Sequence, residues 1–412
     1  MNAERDGTAQ RSLVRAFGLA TVLCLVIAGC APQRGGPTAS GASQPRPGTQ
    51  APADQPGATP LDAGPATVAL LVPLSGGDEQ SVRLGNALAN AAKMAAGEPS
   101  AADLELRVYD TRGLPDGARQ MAERAIRGGA QIILGPLFSA STQAAGDVAA
   151  QSGVKVVSFS TDTSVAGDPV YLSGFIPELE AARILDFASR RGMTTLGVYA
   201  PDTPYGAAAG RGVDVAAPSA GMAVVATTSY PRSFQGIQET SGDFAAEATA
   251  NGAQAILLPD GGQGLRSVAA FMDFNGLPSS SVQYLGLGQW ETRATLEEPA
   301  LRGGWFPGPA PSAVDAFADR YAIRYGERPP VLSVLGYDAV RIAAEVVADA
   351  RKSPQGLIND ALLTRPQGFP GAFGPIRFLP DGRGDRALAI MEVGAGQFVV
   401  LEPAPTRFGA GF

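Results

Sequence analysis

Three hydroxyls, Ser139, Ser141 and Thr142, follow a Gly135-Pro136 turn that closes a buried strand read at residues 131–134. Small polar side chains at a helix start leave backbone N–H groups free, and the helix dipole favours an anion there. In an open α/β sheet, ligands gather beyond the carboxyl ends of the strands. The block therefore reads as a place for something small and polar, with plain helix capping as the alternative. Other strand-end segments could complete such a site: Ser160-Thr161-Asp162, Tyr205 after Pro204, Asp260 before Gly261-Gly262, and Gln289-Trp290. Asp110, Asp162 and Asp260 each end a predicted strand; they could face one cleft together or cap turns. Trp290 and Trp305 suit a cleft rim or a core equally well.

The residue types exclude most catalysis. There is no histidine among the 412 residues, which removes Ser-His-Asp and Cys-His nucleophiles, imidazole bases and the commonest zinc sites. The two cysteines, Cys24 and Cys30, both lie in the first thirty residues, so thiolate chemistry and four-cysteine zinc are excluded from the folded part. Ser152-Gly153-Val154-Lys155 spells S-x-x-K, but it falls between a helix and a strand and has no K-T-G partner. Only a two-carboxylate hydrolase stays formally open. A non-catalytic protein without metal or cofactor is expected. The charge is acidic, −7 overall, and Lys93, Lys155 and Lys352 are scattered, so no basic stripe invites nucleic acid.

Positioning these residues requires alternating strands and helices. Residues 68–72 form a short continuous apolar run of a buried strand, and 104–109, 131–134 and 154–158 read as further strands, with helices at 82–96 and 117–127, the latter capped by Asp116. A second run starts at Pro177: helix 178–191, strand 195–199, a turn at 202–206 leading to a helix, then strands 222–228, 253–258 and 283–287. Helices at 313–325 and 334–350 follow, and 373–378, 387–393 and 397–401 read as a β-meander around Asp381-Gly382. Strand–helix alternation at this spacing implies parallel sheets with right-handed crossovers. The length favours two lobes over one core.

The N-terminus reads as an address. Arg11 and Arg15 precede an apolar run at 16–28, too short to span a membrane, ending in Ile27-Ala28-Gly29-Cys30. This resembles the lipobox of bacterial lipoproteins, with residues 1–29 as the signal peptide and Cys30 as the lipidated residue. Ala31 beside it implies outer-membrane sorting. Residues 30–66 form the anchor and a Pro/Gly-rich disordered tether, spanning about 30–35 Å as a flexible coil.

The marks Leu71-Val72-Pro73-Leu74-Ser75-Gly76, the 133–142 block, Tyr205-Gly206, Tyr337-Asp338-Ala339 and Phe373-Gly374-Pro375-Ile376-Arg377-Phe378 together resemble the leucine/isoleucine/valine-binding-protein-like superfamily. That implies the two-lobed type I periplasmic binding protein fold, each lobe a mainly parallel sheet flanked by helices. The implied lobes are 67–175 plus 306–371 and 176–305 plus 372–404, with crossings near Gly174, Trp305 and Ala372 and a tail at 405–412. By the resemblance, Ser139 matches the hydroxyl that takes a ligand carboxylate, and Ser160, Thr161 and Asp162 lie where the ammonium is met. The second-lobe segments around Asp260 and Gln289-Trp290 show no acid-plus-tyrosine pair, so branched-chain amino acids are not the expected ligands.

A narrower resemblance rests on the lipobox, the tether, Leu106-Arg107-Val108-Tyr109-Asp110-Thr111, residues 158–162 and 258–262, and Gly303-Gly304-Trp305-Phe306. These are similar to penicillin-binding protein activators of the LpoA kind, which implies a class A penicillin-binding protein as partner. The expected protein is thus a regulator of a peptidoglycan synthase, on the periplasmic face of the outer membrane and touching it only through Cys30 lipid. The alternative is the receptor of an ABC-type uptake system for an amino acid or related small molecule, which inner-membrane retention would suit.

Overall fold

The structure is a computed structural model that describes residues 59–408. The signal peptide, Cys30, the tether as far as residue 58, and residues 409–412 lie outside the described residues. The first sheet is built from β1 (Ala66–Val72), β2 (Leu104–Asp110), β3 (Ile132–Leu134), β4 (Lys155–Ser158) and β5 (Val170–Leu172). All its pairings are parallel, in the order β2-β1-β3-β4-β5. β1 and β3 are buried throughout because both faces are covered, while the edge strand β2 alternates and carries Glu105 and Arg107. Val68, Leu70 and Val72 pack toward α1 (Glu79–Ala96) and the later helices, while Ala69 and Leu71 pack toward α2 (Pro115–Arg127) and α3 (Ser139–Ser152).

The second sheet follows the same plan. α4 (Pro177–Arg190), β6 (Thr195–Pro201), α5 (Pro204–Ser219) and β7 (Ala223–Tyr230) lead to α6 (Phe234–Ala250), β8 (Ala255–Leu257) and α7 (Gly262–Phe274). Then come β9 (Gln283–Leu285), the one-turn α8 (Arg293–Leu296) and β10 (Trp305–Gly308). Leu196, Val198, Leu257 and Leu285 face α4 and α5; Tyr199, Ile256 and Tyr284 face α6 and α7. The chain then returns to the first core through α9 (Pro311–Tyr325), α10 (Val334–Lys352) and the short α11 (Asp360–Leu363). Among the described residues no helix is long and apolar enough to cross a membrane.

Several expectations change. The meander is split: β11 (Ile376–Phe378) and β12 (Gly384–Arg386) form a separate hairpin, and β13 (Ala389–Val393) and β14 (Phe398–Glu402) extend the second sheet antiparallel. Gly382, at φ +83°, lets that hairpin's turn close on β5, where its carbonyl accepts from Leu172 N at 2.8 Å. Phe373, Ile376 and Phe378 pack in the first core, so the return crossing lies after them and not at Ala372. Phe306 belongs to the second sheet, so the second crossing follows Gly308 and not Trp305. The tether's last residues are not free: Leu61 N donates to Gly356 O at 2.8 Å and its side chain packs on the first core. Asp116 does not cap α2; Leu114 holds that position with Pro115 at the first turn, a proline preference that needs no capping side chain.

The first and last crossings meet at a buried ion pair. Arg386 Nη1 donates to Asp338 Oδ2 at 3.0 Å, and its Nε donates to Ser173 O at 2.9 Å. The other carboxylate oxygen accepts from Ala372 N at 2.8 Å. The guanidinium lies over the Phe175 ring, 4.7 Å from its centroid. Burial opposes the charge on both partners, raising the Asp338 pKa and lowering that of Arg386, and their mutual attraction offsets this. Removing one partner leaves the other charge uncompensated. Asp338→Ala should therefore lower unfolding free energy by about 3–5 kcal/mol in urea denaturation, and pairing Asp338→Leu with Arg386→Met should recover most of the loss.

Candidate functional site

A cavity of about 330 Å3 opens between the carboxyl ends of the two sheets. Thr161 and the apolar side chains Val331 and Leu332 line it from the first lobe's side, and Phe175 from the first crossing. The second lobe contributes Glu180 from the first turn of α4 and Tyr205 from the first turn of α5. Gly288, Gln289 and Glu291 come from the turn after β9, and Gly308 and Pro309 from the end of β10. Each strand-to-helix turn is shaped locally: Thr203 Oγ1, for instance, accepts from Gly206 N at 3.2 Å and starts α5, aiming Tyr205 inward.

Two carboxyls dominate this cavity. Glu180 is 3% exposed. Its Oε2 accepts from Gly288 N at 3.0 Å and from the Tyr205 hydroxyl at 3.3 Å, while Oε1 accepts no hydrogen bond. Burial pushes Glu180 up to about 7, with the two donors acting the other way. The Glu291 carboxyl makes no hydrogen bond, and burial together with the charge of Glu180 pushes it up to about 8. No lysine or arginine lines the cavity. The pair can accept a cation through acceptors that the fold leaves open.

The structure distributes the expected site residues unevenly. Thr161, Tyr205 and Gln289 line the cavity. Ser139 does open α3, but its hydroxyl donates to Asp162 Oδ2 at 2.6 Å. That bond, with those from Ser164, holds the Asp162 carboxyl below the usual range, so an acid already occupies the approach to the helix start. Thr142 is fully buried and its hydroxyl lies 2.7 Å from that of Ser158. Ser158 Oγ also accepts from Ser160 N at 3.0 Å, and Ser160 Oγ accepts from Asp162 N at 3.1 Å. These hydroxyls tie down the end of β4 through bonds to one another and to its backbone. Ser141 is buried on α3 without a hydrogen-bond partner and does not line the cavity.

Asp260 is also spoken for. It accepts from the Tyr230 hydroxyl at 2.7 Å and from Arg232 Nε at 2.8 Å. Trp290 is core: it is fully buried, and its Nε1 donates to Leu258 O at 3.0 Å. Asp110 closes the turns after β1 and β2, accepting from Leu74 N at 2.8 Å and Arg112 N at 2.9 Å. The three strand-end aspartates thus cap turns and pair with neighbours instead of converging. Lys155 of the S-x-x-K string is buried in β4 and paired with Asp168 and Asp360, which makes it structural.

Glu180, which accepts from the Tyr205 hydroxyl, supplies an acid-plus-tyrosine pair that no second-lobe strand-end segment showed, and Glu291 lines the same cavity. One of them had a signal. Glu180 heads the stripe Ile184, Phe187, Ala188 at helical spacing, so an acid stands on the buried face of α4. Glu291 follows Trp290 in an irregular turn and carries no periodic signal. A larger groove of about 690 Å3 runs along α4 and α5. Its charges are mostly paired internally, Arg211 with Glu178 at 2.8 Å and Arg383 with Asp381 at 2.8 Å. Among the described residues no group of three His, Cys, Asp or Glu side chains is placed to hold a metal ion.

A family described as periplasmic binding protein matches residues 65–397. The chain belongs to the periplasmic binding protein family. The family is of a binding rather than catalytic type and its location is the periplasm. Solved structures share the type I fold of this periplasmic binding protein at low identity. A putative branched-chain amino acid ABC transporter protein from Rhodospirillum rubrum is 22% identical, with a TM-score of 0.69 over 82% of this chain and 99% of that one. A solute binding protein of an ABC transporter from Rhodopseudomonas palustris, in complex with 3,4-dihydroxybenzoic acid, is 20% identical, with a TM-score of 0.59 over 84% and 97%. The branched-chain amino acid transporter substrate binding protein LivJ from Streptococcus pneumoniae, in complex with isoleucine, is 17% identical, with a TM-score of 0.57 over 82% and 99%. A search of curated protein sequences gave no match.

The raised carboxyl pKa values make stability depend on pH. A folded pKa above the unfolded one means the native protein holds protons more tightly, so stability is complete below the unfolded carboxyl range and falls as pH rises through about 7 to 8. The ligand-free protein should melt at a lower temperature at about pH 8.5 than at about pH 6. Glu291→Gln should flatten that dependence and raise the melting temperature at the alkaline end, read by differential scanning calorimetry.

Proposed function

We propose that this protein is a periplasmic receptor that takes a small molecule bearing a basic nitrogen into the inter-lobe cavity and delivers it to an ABC-type uptake system. The observation that carries this reading is a pair of glutamates, with acceptor oxygens left open, in an apolar-walled cavity that lacks any basic side chain. Such carboxyls are costly to keep buried without a cation, so their presence at the mouth between two lobes points to a ligand that supplies one. Solved relatives described as ABC transporter binding proteins share this fold and support the same reading. Regulation of a peptidoglycan synthase has only the resemblance of short motifs behind it, and it gives open cleft carboxyls no task. In the receptor reading, Cys30 tethers the protein by its lipid, and retention at the inner membrane brings it to a permease.

A thermal-shift panel of amines, amino acids and aromatic acids tests this. A ligand at a hundred times its Kd should stabilise the fold by about 2.7 kcal/mol. Cross-linking in native envelopes should then recover a permease. Recovery of a class A penicillin-binding protein instead, with no compound shifting the melt, would sink the receptor reading. Gly288→Ala should weaken ligand binding more than about tenfold, because its Cβ would stand 2.6 Å from Glu180 Oε1.

A further inference from the structure

The cavity's charge pattern narrows the ligand beyond one basic nitrogen, and this inference rests on the receptor reading. A zwitterion would need an anion-binding partner in the first lobe. The hydroxyl suited to that, Ser139, is already given to Asp162 at 2.6 Å. Asp162 also accepts from Ser164 N at 3.0 Å and Ser164 Oγ at 2.7 Å. A ligand carboxylate arriving at the start of α3 would meet that negative charge, with no lysine or arginine in the cavity lining to offset it.

The other side of the cavity demands positive charge twice. Glu180, 97% out of solvent by its 3% exposure, offers Oε1 with no donor, its other oxygen being held by Gly288 N and Tyr205. Glu291 offers a carboxyl with no hydrogen-bond donor of its own, close enough to Glu180 for the two charges to repel. One cation bound between them would leave a buried carboxylate uncompensated or keep it protonated. Two cations on one small molecule would satisfy both. Phe175 and Tyr205 present aromatic rings that suit ammonium groups, and Val331 and Leu332 suit methylene carbons.

We propose that the cleft selects a short aliphatic diamine without a carboxylate, one ammonium on Glu180 Oε1 and the other on Glu291. The groups facing this pair are the Gly288 amide and Tyr205 hydroxyl at Glu180, and Glu180 itself at Glu291. Each carboxyl that carries a proton in the empty cleft gives it to solvent when an ammonium arrives, so binding tightens as pH rises through about 7 to 8.

The experiment is isothermal titration of the purified full-length protein at about pH 7.5 with α,ω-diaminoalkanes of roughly three to six carbons, the matching alkylamines, and leucine. The expected result is diamine binding at least about tenfold tighter than the alkylamine of equal length, and no heat from leucine. Glu291→Gln should erase that preference, while Glu239→Gln on the exposed face of α6 should keep it. Calorimetric melting of each variant separates a lost site from a lost fold. Leucine binding, equal affinity for alkylamine and diamine, or an unchanged preference in a folded Glu291→Gln would overturn the proposal. Silence from every amine overturns it too. In that case a melting shift from another compound in the panel leaves the receptor reading standing, and no shift from any compound takes both down.

Discussion

The guanidinium of Arg386 against the carboxylate of Asp338 is the contact on which the geometry of the two lobes depends. It is buried, it binds the backbone of the first crossing at Ser173, and it ends β12, two residues short of where β13 joins the second sheet. The same guanidinium covers Phe175, which lines the cavity. A buried ion pair is a weak source of net stability, because desolvation consumes most of the Coulombic gain. Its directional bonds still hold the first and last crossings to α10, and so set where the cavity wall stands.

The cavity itself reverses the usual logic of burial. Elsewhere the buried polar groups largely satisfy one another: the Ser139, Thr142, Ser158, Ser160 and Asp162 chain, Asp260 with Tyr230 and Arg232, and Lys155 with two aspartates. Glu180 and Glu291 are the carboxyls left in an apolar-walled space without a basic partner. Local inconsistency of that kind marks functional sites, because stability is given up where a ligand will restore it. The hydroxyl cluster that the sequence brings forward is, in contrast, a finished network with little left to offer a ligand.

Much of the fold was legible in the chain because parallel strands covered on both faces must be continuously apolar, as 68–72 and 132–134 are. The amphipathic helices between them repeat on a different period, so the order of elements and the two-lobed plan followed. What stayed hidden were short strands such as β5 and β10, three and four residues long, whose identity comes from pairing rather than from pattern. The split of the C-terminal strands between a hairpin and the second sheet was hidden for the same reason.

The site divided along similar lines. Sequence placed Thr161, Tyr205 and Gln289 at strand ends, and strand ends of such sheets face the ligand. It could not decide which strand-end side chains point outward, so Trp290 and Asp260 went to the core and to an ion pair. It also could not show that an acid on the inner face of α4 meets a turn more than a hundred residues later. The sequence alone determined the alternating architecture and the absence of histidine and thiol chemistry from the fold. Only the tertiary structure decided that Glu180 and Glu291 share one cavity, because the energy of a carboxyl depends on what surrounds it in space and not on its neighbours in the chain.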